Sequence, residues 1–238
     1  GNKRDAFKLR MSNIGRPTCQ LWFDKNKPET ALPKPTTFVL NMMIGDIVEA
    51  VFKGVLKEAN VDFKDTNRVT LAVGDIDDTY VSGSYDLIVD GAVDDIKSAS
   101  DYSYKYKFDS YESLENSDPF GYISQLAGYA RAAGKKLGGW WVINKASGQF
   151  KYVKAKTDVP RQINKIRDTV ESLIKNDFNR CFSPIPETFR GKTTGNYILD
   201  DGCKFCDYRF ECWPSLREIP SKVSKAKVPP IVQYVEKE

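Results

Sequence analysis

Four short runs of β-like sequence follow one another in the first half of the chain, and they constrain the fold more than any other feature. Turns that contain Asp or Gly separate the runs, which cover residues 68–73, 79–82, 85–90 and 92–98. This spacing predicts an antiparallel meander. Apolar residues recur at helical spacing before it, over 38–58, and helical patterns return after it. We therefore expect an α/β or α+β domain in which helices flank one central mixed sheet.

Local signals predict the remaining elements. In a helix over 118–133, Asp118 is the expected N-cap, Pro119 the first helical residue and Gly134 the end. The other expected elements are a helix over 6–25 interrupted near Gly15, a hairpin of 138–144 and 149–155, and a helix over 160–175. Residues 176–202 are expected to be a long connection and 214–238 a C-terminal tail, so that one domain spans 1–213.

The composition of the 238 residues, 41% hydrophobic and 29% charged, is typical of a soluble domain with a sizeable core. No run approaches the roughly 18 consecutive apolar residues of a membrane span. The first residues of the chain are too polar for a signal peptide, so a cytoplasmic protein is expected. The net charge of +4 allows polyanion binding without requiring it.

Histidine is absent from the chain, and cysteine occurs five times. The absence of histidine excludes a Ser-His-Asp triad, a Cys-His protease and any zinc hydrolase with histidine ligands. Catalysis would therefore depend on carboxylates, lysine, cysteine or hydroxyl groups. An odd number of cysteines without a secretion signal argues against a disulfide framework and favours thiolates that bind a metal or take part in redox chemistry.

Two carboxylates and one lysine lie on adjacent predicted strands. Asp86 belongs to a hydrophobic strand, and Asp95 and Lys97 lie on the next strand, after a turn at Asp90. Because side chains alternate along a strand, Asp95 and Lys97 share a face, and a hairpin brings Asp86 near them. Carboxylate oxygens suit Mg²⁺ or Mn²⁺, which polarise a phosphoryl oxygen and lower the pKa of water. Lys97 would orient the attacking water or stabilise developing negative charge.

Asp86 followed by Asp95-x-Lys97 resembles the PD-(D/E)XK nuclease signature, in particular that of the RecB-like nucleases, the CRISPR-associated iron-sulfur exonucleases and the AddB nuclease domain. The resemblance extends from Cys19 to Cys212, with its elements in the order of the family. For the isolated D-x-K triplet, a solvated hairpin is the structural alternative. The resemblance implies a metal-dependent DNA exonuclease that acts on single-stranded or end-bearing DNA in a prokaryotic or phage-infected cytoplasm.

The resemblance assigns roles to four further residues. Gln125 and Tyr129, four apart on a helix, would position the scissile phosphate or a metal-bound water and line the same cleft. Glu49, four residues after Gly45, takes the place of a metal-binding histidine of the relatives. The Ile96 carbonyl would be an additional metal ligand. An exposed Gln beside a core Tyr, and a solvated helical Glu, are the structural alternatives.

Three cysteines lie close together in the order Cys203-x2-Cys206-x5-Cys212. The C-x2-C pair can place two thiolates on one metal, and three thiolates leave a tetrahedral site one ligand short. Cys19 completes the site by resemblance, and Cys181, predicted to be a buried free thiol, is the competing ligand. Spacing alone fits Zn²⁺ as well as an iron-sulfur cluster, whereas the resemblance implies a structural [4Fe-4S] cluster.

Aromatic and basic side chains alternate directly after the D-x-K strand, at Tyr102, Tyr104, Lys105, Tyr106, Lys107 and Phe108. Base stacking and phosphate pairing use this mixture. A half-buried segment whose lysines extend to solvent fits the same pattern. Further basic candidates, with a solvated helix face as their alternative, are Lys135, Lys136, Arg161, Lys165 and Arg167.

Two functions besides DNA hydrolysis remain open from the sequence. One is a non-catalytic DNA-binding or assembly subunit that keeps the metal-thiolate site, for example a partner in CRISPR spacer acquisition. The other is a structural zinc protein whose D-x-K triplet is accidental. A colourless protein that contains zinc and is inert toward DNA would support the second alternative, whereas brown colour would indicate iron-sulfur.

Overall fold

The computed structural model describes residues 7–73 and 79–237, and the chain divides into two compact units. The first, called here the sheet unit, consists of Lys8–Arg16 and Lys34–Lys175. The second, called the cysteine unit, contains residues 17–33 and 176–237. This division differs from the prediction of one domain over 1–213 followed by a tail.

The elements of the described residues are numbered in chain order. The helices are α1 (Thr18–Asn26), α2 (Thr36–Glu58), α3 (Tyr111–Asn116), α4 (Tyr122–Ala133), α5 (Val159–Lys175), α6 (Asp201–Lys204) and α7 (Arg209–Cys212), with a 3-10 turn at Pro28–Thr30 and a π turn at Ser103–Lys107. The strands are β1 (Phe63–Lys64), β2 (Asn67–Ala72), β3 (Tyr80–Tyr85), β4 (Leu87–Val89), β5 (Ala92–Ala99), β6 (Lys136–Asn144), β7 (Phe150–Lys154), β8 (Ile185–Phe189), β9 (Lys192–Ile198), β10 (Arg217–Pro220) and β11 (Ile231–Val235).

The sheet unit has the expected central mixed sheet with helices on both faces. Its strand order is β1-β4-β5-β6-β7, with β5 and β6 parallel and the other neighbours antiparallel. The β2 and β3 strands form a separate antiparallel ribbon. The hairpin of β6 and β7 is therefore confirmed, whereas the predicted meander is divided between two sheets: β2 pairs with β3 and β4 pairs with β5, but β3 and β4 are not neighbours in either sheet of the described residues.

Side-chain alternation along β6 gives each face of the sheet its own helix. Trp140 and Val142 belong to the core that contains α4, whereas Trp141 and Ile143 pack with Phe52 of α2. Each face thereby buries one apolar set, as alternating strands require. The same alternation on β5 separates the two faces at the candidate site.

The α2 helix was correctly predicted, but much of its apolar stripe is not buried. Phe52 and Leu56 pack on the sheet, and Val48 packs partly. Ile47 and Val51 are each 61% exposed, since each precedes Val48 or Phe52 by one residue and is turned by about 100° from the face that packs on the sheet. Part of the apolar stripe is therefore exposed within the described residues.

The α4 helix begins later than predicted and ends where predicted. It starts at Tyr122, and Pro119 precedes it. Asp118 still acts as a cap, because its carboxylate accepts hydrogen bonds from the Tyr122 and Ile123 N–H groups at 2.9 Å each. Gly134 ends the helix with φ of 60°, a conformation that glycine adopts without strain.

The cysteine unit contains a second sheet that the sequence did not reveal. Its strands are antiparallel in the order β10-β11-β9-β8. The strands β8 and β9 lie in the predicted connection, and β10 and β11 lie in the predicted tail. The first described helix, α1, begins at Thr18, so the helix predicted over 6–25 is wrong over the described residues 7–17, and its predicted start at Ala6 lies outside the described residues. None of the helices in the described parts of the chain is long and apolar enough to cross a membrane.

Candidate active site

Asp95 and Lys97 form a nearly buried ion pair on β5. Their side chains are 5% and 20% exposed, and Lys97 Nζ lies 2.6 Å from Asp95 Oδ2. Two residues apart on a strand, they share a face as the alternation predicts. Asp95 Oδ2 has no well-aligned hydrogen bond from any described residue, so its lone pairs are engaged by the lysine charge alone.

Asp86 lies opposite this pair at the point where β3 ends and β4 begins. Antiparallel pairing of Leu87 with Asp94 brings Asp86 beside Asp95 across the hairpin. Asp86 Oδ2 accepts a hydrogen bond from the Ile96 N–H at 2.7 Å. The predicted convergence of Asp86, Asp95 and Lys97 is therefore present in the structure.

The pKa values of Asp86 and Lys97 both lie above their ordinary values, for different reasons. Burial raises the pKa of Asp86 to about 8, the charge of Asp95 adds to the rise, and Lys97 and the Ile96 N–H act against it. Burial lowers the pKa of Lys97, but the attraction of Asp95 and Asp86 outweighs it, so that this pKa lies above its ordinary value. The lysine remains protonated, and the carboxylates repel one another.

Gln125 and Tyr129 of α4 face the same cluster. Burial raises the pKa of Tyr129, a hydrogen bond with Gln125 lowers it, and the charges of Asp95 and Asp86 raise it. The approach of Tyr129 requires Gly83, because a Cβ at that position would lie 2.8 Å from the tyrosine hydroxyl oxygen. Gln125 is half-buried and shares a hydrogen bond with Tyr129, which differs from the alternative of an exposed glutamine beside an unrelated core tyrosine.

Tyr122, which sequence reasoning did not single out, lies beside the catalytic candidates. Lys97 Nζ is 4.8 Å from the centroid of its ring, within the range of a cation–π contact. Its place on the first turn of α4, one turn before Gln125, is the sequence signal that could have identified it.

Glu49 stands at the edge of this cluster. Its charge contributes to the raised pKa of Asp86, but its carboxylate pairs with Lys53 Nζ at 2.7 Å. Lys53 also contacts Asp65 at 2.9 Å and the Thr66 hydroxyl at 2.6 Å. The alternative of a solvated helical Glu is therefore incomplete, because the ammonium group of Lys53 occupies the carboxylate of Glu49 and would compete with a metal ion. The spacing of four residues between Glu49 and Lys53 is the sequence signal for this ion pair.

The three carboxylates suit a hard divalent cation in their chemistry. No group of three or more His, Cys, Asp or Glu side chains has an arrangement that could hold a metal ion among the residues that the structure describes. Lys97 and Lys53 neutralise Asp95 and Glu49 instead. A divalent cation would relieve the repulsion between Asp86 and Asp95 and would engage Asp95 Oδ2, so the chemistry of these oxygen donors, though not their present arrangement, suits Mg²⁺ or Mn²⁺.

Four cysteines line one small pocket of the cysteine unit: Cys19, Cys203, Cys206 and Cys212. They come from α1, α6, the turn after α6, and α7. Burial raises the pKa of Cys203 to about 12 and that of Cys206 to about 11, and the charge of Cys212 adds to both. The four cysteines predicted to share a site therefore line the same pocket. Their side chains, among the residues that the structure describes, are not arranged as a group that could hold a metal ion.

Cys181 is exposed, which corrects the prediction of a buried free thiol. Its sulfur accepts a hydrogen bond from the Cys19 N–H at 3.1 Å. It remains a neighbour of the four-cysteine pocket because the loop before β8 passes α1.

Trp213 provides a test of whether the pocket fits a cluster. The residue is 3% exposed and lines the pocket, and its indole N–H has no aligned hydrogen-bond acceptor among the described residues. It lies close enough to Cys203 to lower the pKa of that thiol against the effect of burial. Sulfur ligands of a metal cluster are hydrogen-bond acceptors, so this N–H and the four thiols fit such a group.

The aromatic and basic segment after β5 is divided between core and surface. Phe108 is buried, whereas Tyr102 and Tyr106 are 72% and 63% exposed with ring centroids 4.9 Å apart. Lys105 pairs with Asp101 at 2.8 Å. The prediction of a half-buried segment thus describes part of it, and the two exposed tyrosines remain available for stacking.

No family model and no curated protein matches this chain. A solved structure described as "Crystal structure of SSO0001" aligns with 14% identity over 87% of each chain and a TM-score of 0.48. Similarity at this level supports no conclusion about function.

Proposed function

We propose that this chain is a metal-dependent deoxyribonuclease with a PD-(D/E)XK core. The observation that carries the proposal is the buried pair of Asp95 and Lys97 beside Asp86, whose pKa burial raises to about 8. Two acids and a permanently charged lysine in one half-buried cluster are characteristic of a functional site rather than of a solvated hairpin. Gln125 and Tyr129 on the facing helix support the same reading of the sequence motif.

Asp86, Asp95, the Ile96 carbonyl and Glu49 would hold Mg²⁺ or Mn²⁺. When bound, the cation polarises the phosphoryl oxygen and lowers the pKa of the attacking water. Lys97 donates hydrogen bonds to the water or to the negative charge that develops on the phosphate. Gln125 and Tyr129 orient the phosphate. The water oxygen forms a bond to phosphorus and gives up a proton to solvent, while the P–O3′ bond breaks and the leaving O3′ takes a proton from solvent, so that the products are a 5′-phosphate and a 3′-hydroxyl.

We also propose that Cys19, Cys203, Cys206 and Cys212 hold a structural [4Fe-4S] cluster. Their common pocket and the unaligned Trp213 N–H support this assignment. Because the cysteines come from segments far apart in the chain, the cluster would hold α1 to the C-terminal segment. Its loss is therefore expected to reduce stability first.

Digestion of end-labelled linear and of closed circular DNA, each single- and double-stranded, tests the nuclease proposal. The reactions contain Mg²⁺, Mn²⁺ or EDTA, and the Asp95→Asn protein is the control. Metal-dependent loss of linear DNA alone, absent in the variant, supports an exonuclease. Binding without cleavage by protein with its metal sites filled would replace it with the non-catalytic binding subunit.

Metal and sulfide analysis of protein purified without oxygen tests the cluster. About four iron and four sulfide per chain, with brown colour, support the assignment. A colourless protein with one zinc per chain would identify a structural zinc site instead.

A further inference from the structure

A groove of about 840 Å³ lies along the outer side of the β2–β3 ribbon. Three of its lining residues are basic, namely Lys8, Arg10 and Arg68, and three are serines. None of its lining residues is acidic, and no carboxylate pairs with the three basic side chains within the described parts of the chain. The groove therefore concentrates positive charge that no described residue neutralises.

The register of the ribbon explains why polar side chains line it. Arg68 pairs with Ser84 and Thr70 with Ser82, so these four side chains share one face. The alternate residues face inward: Leu71 and Val81 are buried in the core that contains α4. One face of the ribbon is thus committed to the core, and the other presents hydroxyl groups and a guanidinium.

The segment that carries Lys8 and Arg10 is fixed to the ribbon by its backbone. The Met11 N–H donates to the Ser82 carbonyl at 2.8 Å. Asn13 closes the segment, since its carboxamide accepts from the Arg10 N–H at 2.9 Å and donates to the Lys8 carbonyl at 3.1 Å. Both basic side chains are exposed, and neither forms an ion pair with a carboxylate of the described residues.

The groove reaches the candidate active site at Tyr129. This residue lines the groove and is close enough to Asp95 and Asp86 for their charges to raise its pKa. Ser84, on the groove wall, precedes Asp86 by two residues. A strand that follows the groove would therefore bring its phosphates to the acidic cluster.

We propose that this groove binds the sugar-phosphate backbone of the nucleic-acid strand that enters the active site, with Lys8, Arg10 and Arg68 on successive phosphates and the serine hydroxyls as hydrogen-bond donors. The inference rests on the proposed nuclease function and names how that site holds its substrate. Contacts of this kind do not depend on base sequence. They do depend strongly on salt.

Fluorescence anisotropy with a short fluorescein-labelled single-stranded oligodeoxynucleotide tests the groove, with Ca²⁺ in place of Mg²⁺. The Arg10→Ala/Arg68→Ala protein is compared with Lys225→Ala/Lys227→Ala, which removes the same charge from the exposed segment between β10 and β11, a segment that does not line the groove. The groove variant should bind about tenfold more weakly, and the slope of log K against log salt should decrease in magnitude by about 1.4, the value for two phosphate contacts to a single strand. The control should retain the wild-type slope.

The cleavage rate of the same proteins with Mn²⁺ separates the two proposals. Equal salt slopes for the groove and control variants, with wild-type cleavage intact, overturn the groove and leave the nuclease. Groove-dependent binding without any cleavage overturns the nuclease and keeps the groove as a polynucleotide site. A wild-type protein that neither binds nor cleaves overturns both.

Discussion

Asp94 and Asp95 are neighbours in the chain, yet their carboxylates lie on opposite faces of β5 and have opposite environments. Asp94 accepts three hydrogen bonds, from the Gly139 N–H at 2.8 Å, Trp141 Nε1 at 3.0 Å and the Tyr152 hydroxyl at 2.9 Å. Asp95 Oδ2 has only the charge of Lys97. The hydrogen bonds of Asp94 indicate an acid that stabilises the fold. Asp95, whose Oδ2 accepts no aligned hydrogen bond, is the acid expected to act in the proposed active site.

Removal of Asp94 should therefore destabilise the sheet unit without touching the reacting groups. Asp94→Ala leaves the three donors buried without their acceptor, and we expect a loss of about 3 kcal/mol in the free energy of unfolding. Urea denaturation measures it, with Asp62→Ala, at an exposed position, as the control. Equal stabilities of the two variants would show that the three hydrogen bonds contribute little.

Removal of the charge of Asp95 or Lys97 should abolish DNA cleavage and leave the stability of the sheet unit nearly unchanged. Asp95→Asn and Lys97→Met keep the size of each side chain, so the fold should persist while DNA cleavage falls by at least about 10²-fold. Cleavage rates under saturating substrate, beside circular dichroism of each variant, measure the two effects. Wild-type activity in either variant would remove that residue from the active site.

Metal-free stability should decrease as the pH rises through neutrality. Asp86 has an ordinary pKa of 3.8 in the unfolded chain and about 8 in the fold, mainly because it is buried. The folded state thus binds the proton more tightly, and the stability present below about pH 4 is lost as the pH approaches 8. Lys97 does not contribute to this slope, since its ordinary pKa of 10.5 keeps it protonated in the unfolded chain and its pKa is higher still in the fold.

Urea midpoints in EDTA at about pH 5 and about pH 8 measure this loss. Asp86→Asn should show a smaller difference between the two values than the wild type, and added Mg²⁺ should stabilise the wild type more at the higher pH because the cation competes with the proton. The same pH dependence in both proteins would assign the slope to other buried acids, such as Asp94 and Asp118, whose pKa values burial also raises.

The cysteine pocket predicts different consequences for two cysteines. Cys206→Ala removes a proposed cluster ligand, so iron content, visible absorbance and thermal stability should all fall. Cys181→Ala removes an exposed neighbour of Cys19 and should leave all three unchanged. If iron is lost in the Cys181 variant and retained in the other, Cys181 is the fourth ligand and Cys206 is not.

Local sequence signals were sufficient for the sheet unit and insufficient for the cysteine unit. Alternation placed Asp95 and Lys97 on one face of β5, and Gly134 marked the end of α4, because each depends on near neighbours. The second sheet depends on pairing of Ile198 with Tyr234, far apart in the chain, and two of its strands, β8 and β10, are only five and four residues long. Such pairing leaves no periodic signal in the sequence.

The same limit applies within the candidate site. The three donors to Asp94 lie on β6 and β7, and the register between these strands and β5 decides which carboxylate they reach. The position of Lys53 four residues after Glu49 is evident in the sequence, but its contact with Thr66 depends on how α2 packs on the sheet. Residue types at a site are therefore easier to predict than the partners that set their charge.

Lys107 is the basic residue of the aromatic segment that we expect to contact DNA. Its Nζ lies 4.7 Å from the Tyr122 ring centroid and 4.6 Å from that of Phe120, and Lys97 contacts the same Tyr122 ring. Burial lowers the pKa of Lys107, the charge of Asp118 raises it, and Lys97 lowers it. No carboxylate pairs directly with Lys107 among the residues described, so a substrate phosphate would relieve the repulsion between the two lysines.

Lys107→Ala should accordingly raise the KM for DNA by about tenfold with a smaller change in kcat, because it removes a phosphate contact and leaves the reacting groups in place. Lys105→Ala is the matched control, since Lys105 already pairs with Asp101 at the surface, and its KM should stay within about twofold of the wild type. Lys107→Arg should restore most of the affinity because the charge is kept. Steady-state cleavage kinetics of the three variants measure these effects. Similar KM values for Lys107→Ala and Lys105→Ala would show that Lys107 packs on the rings of Tyr122 and Phe120 without contacting a phosphate.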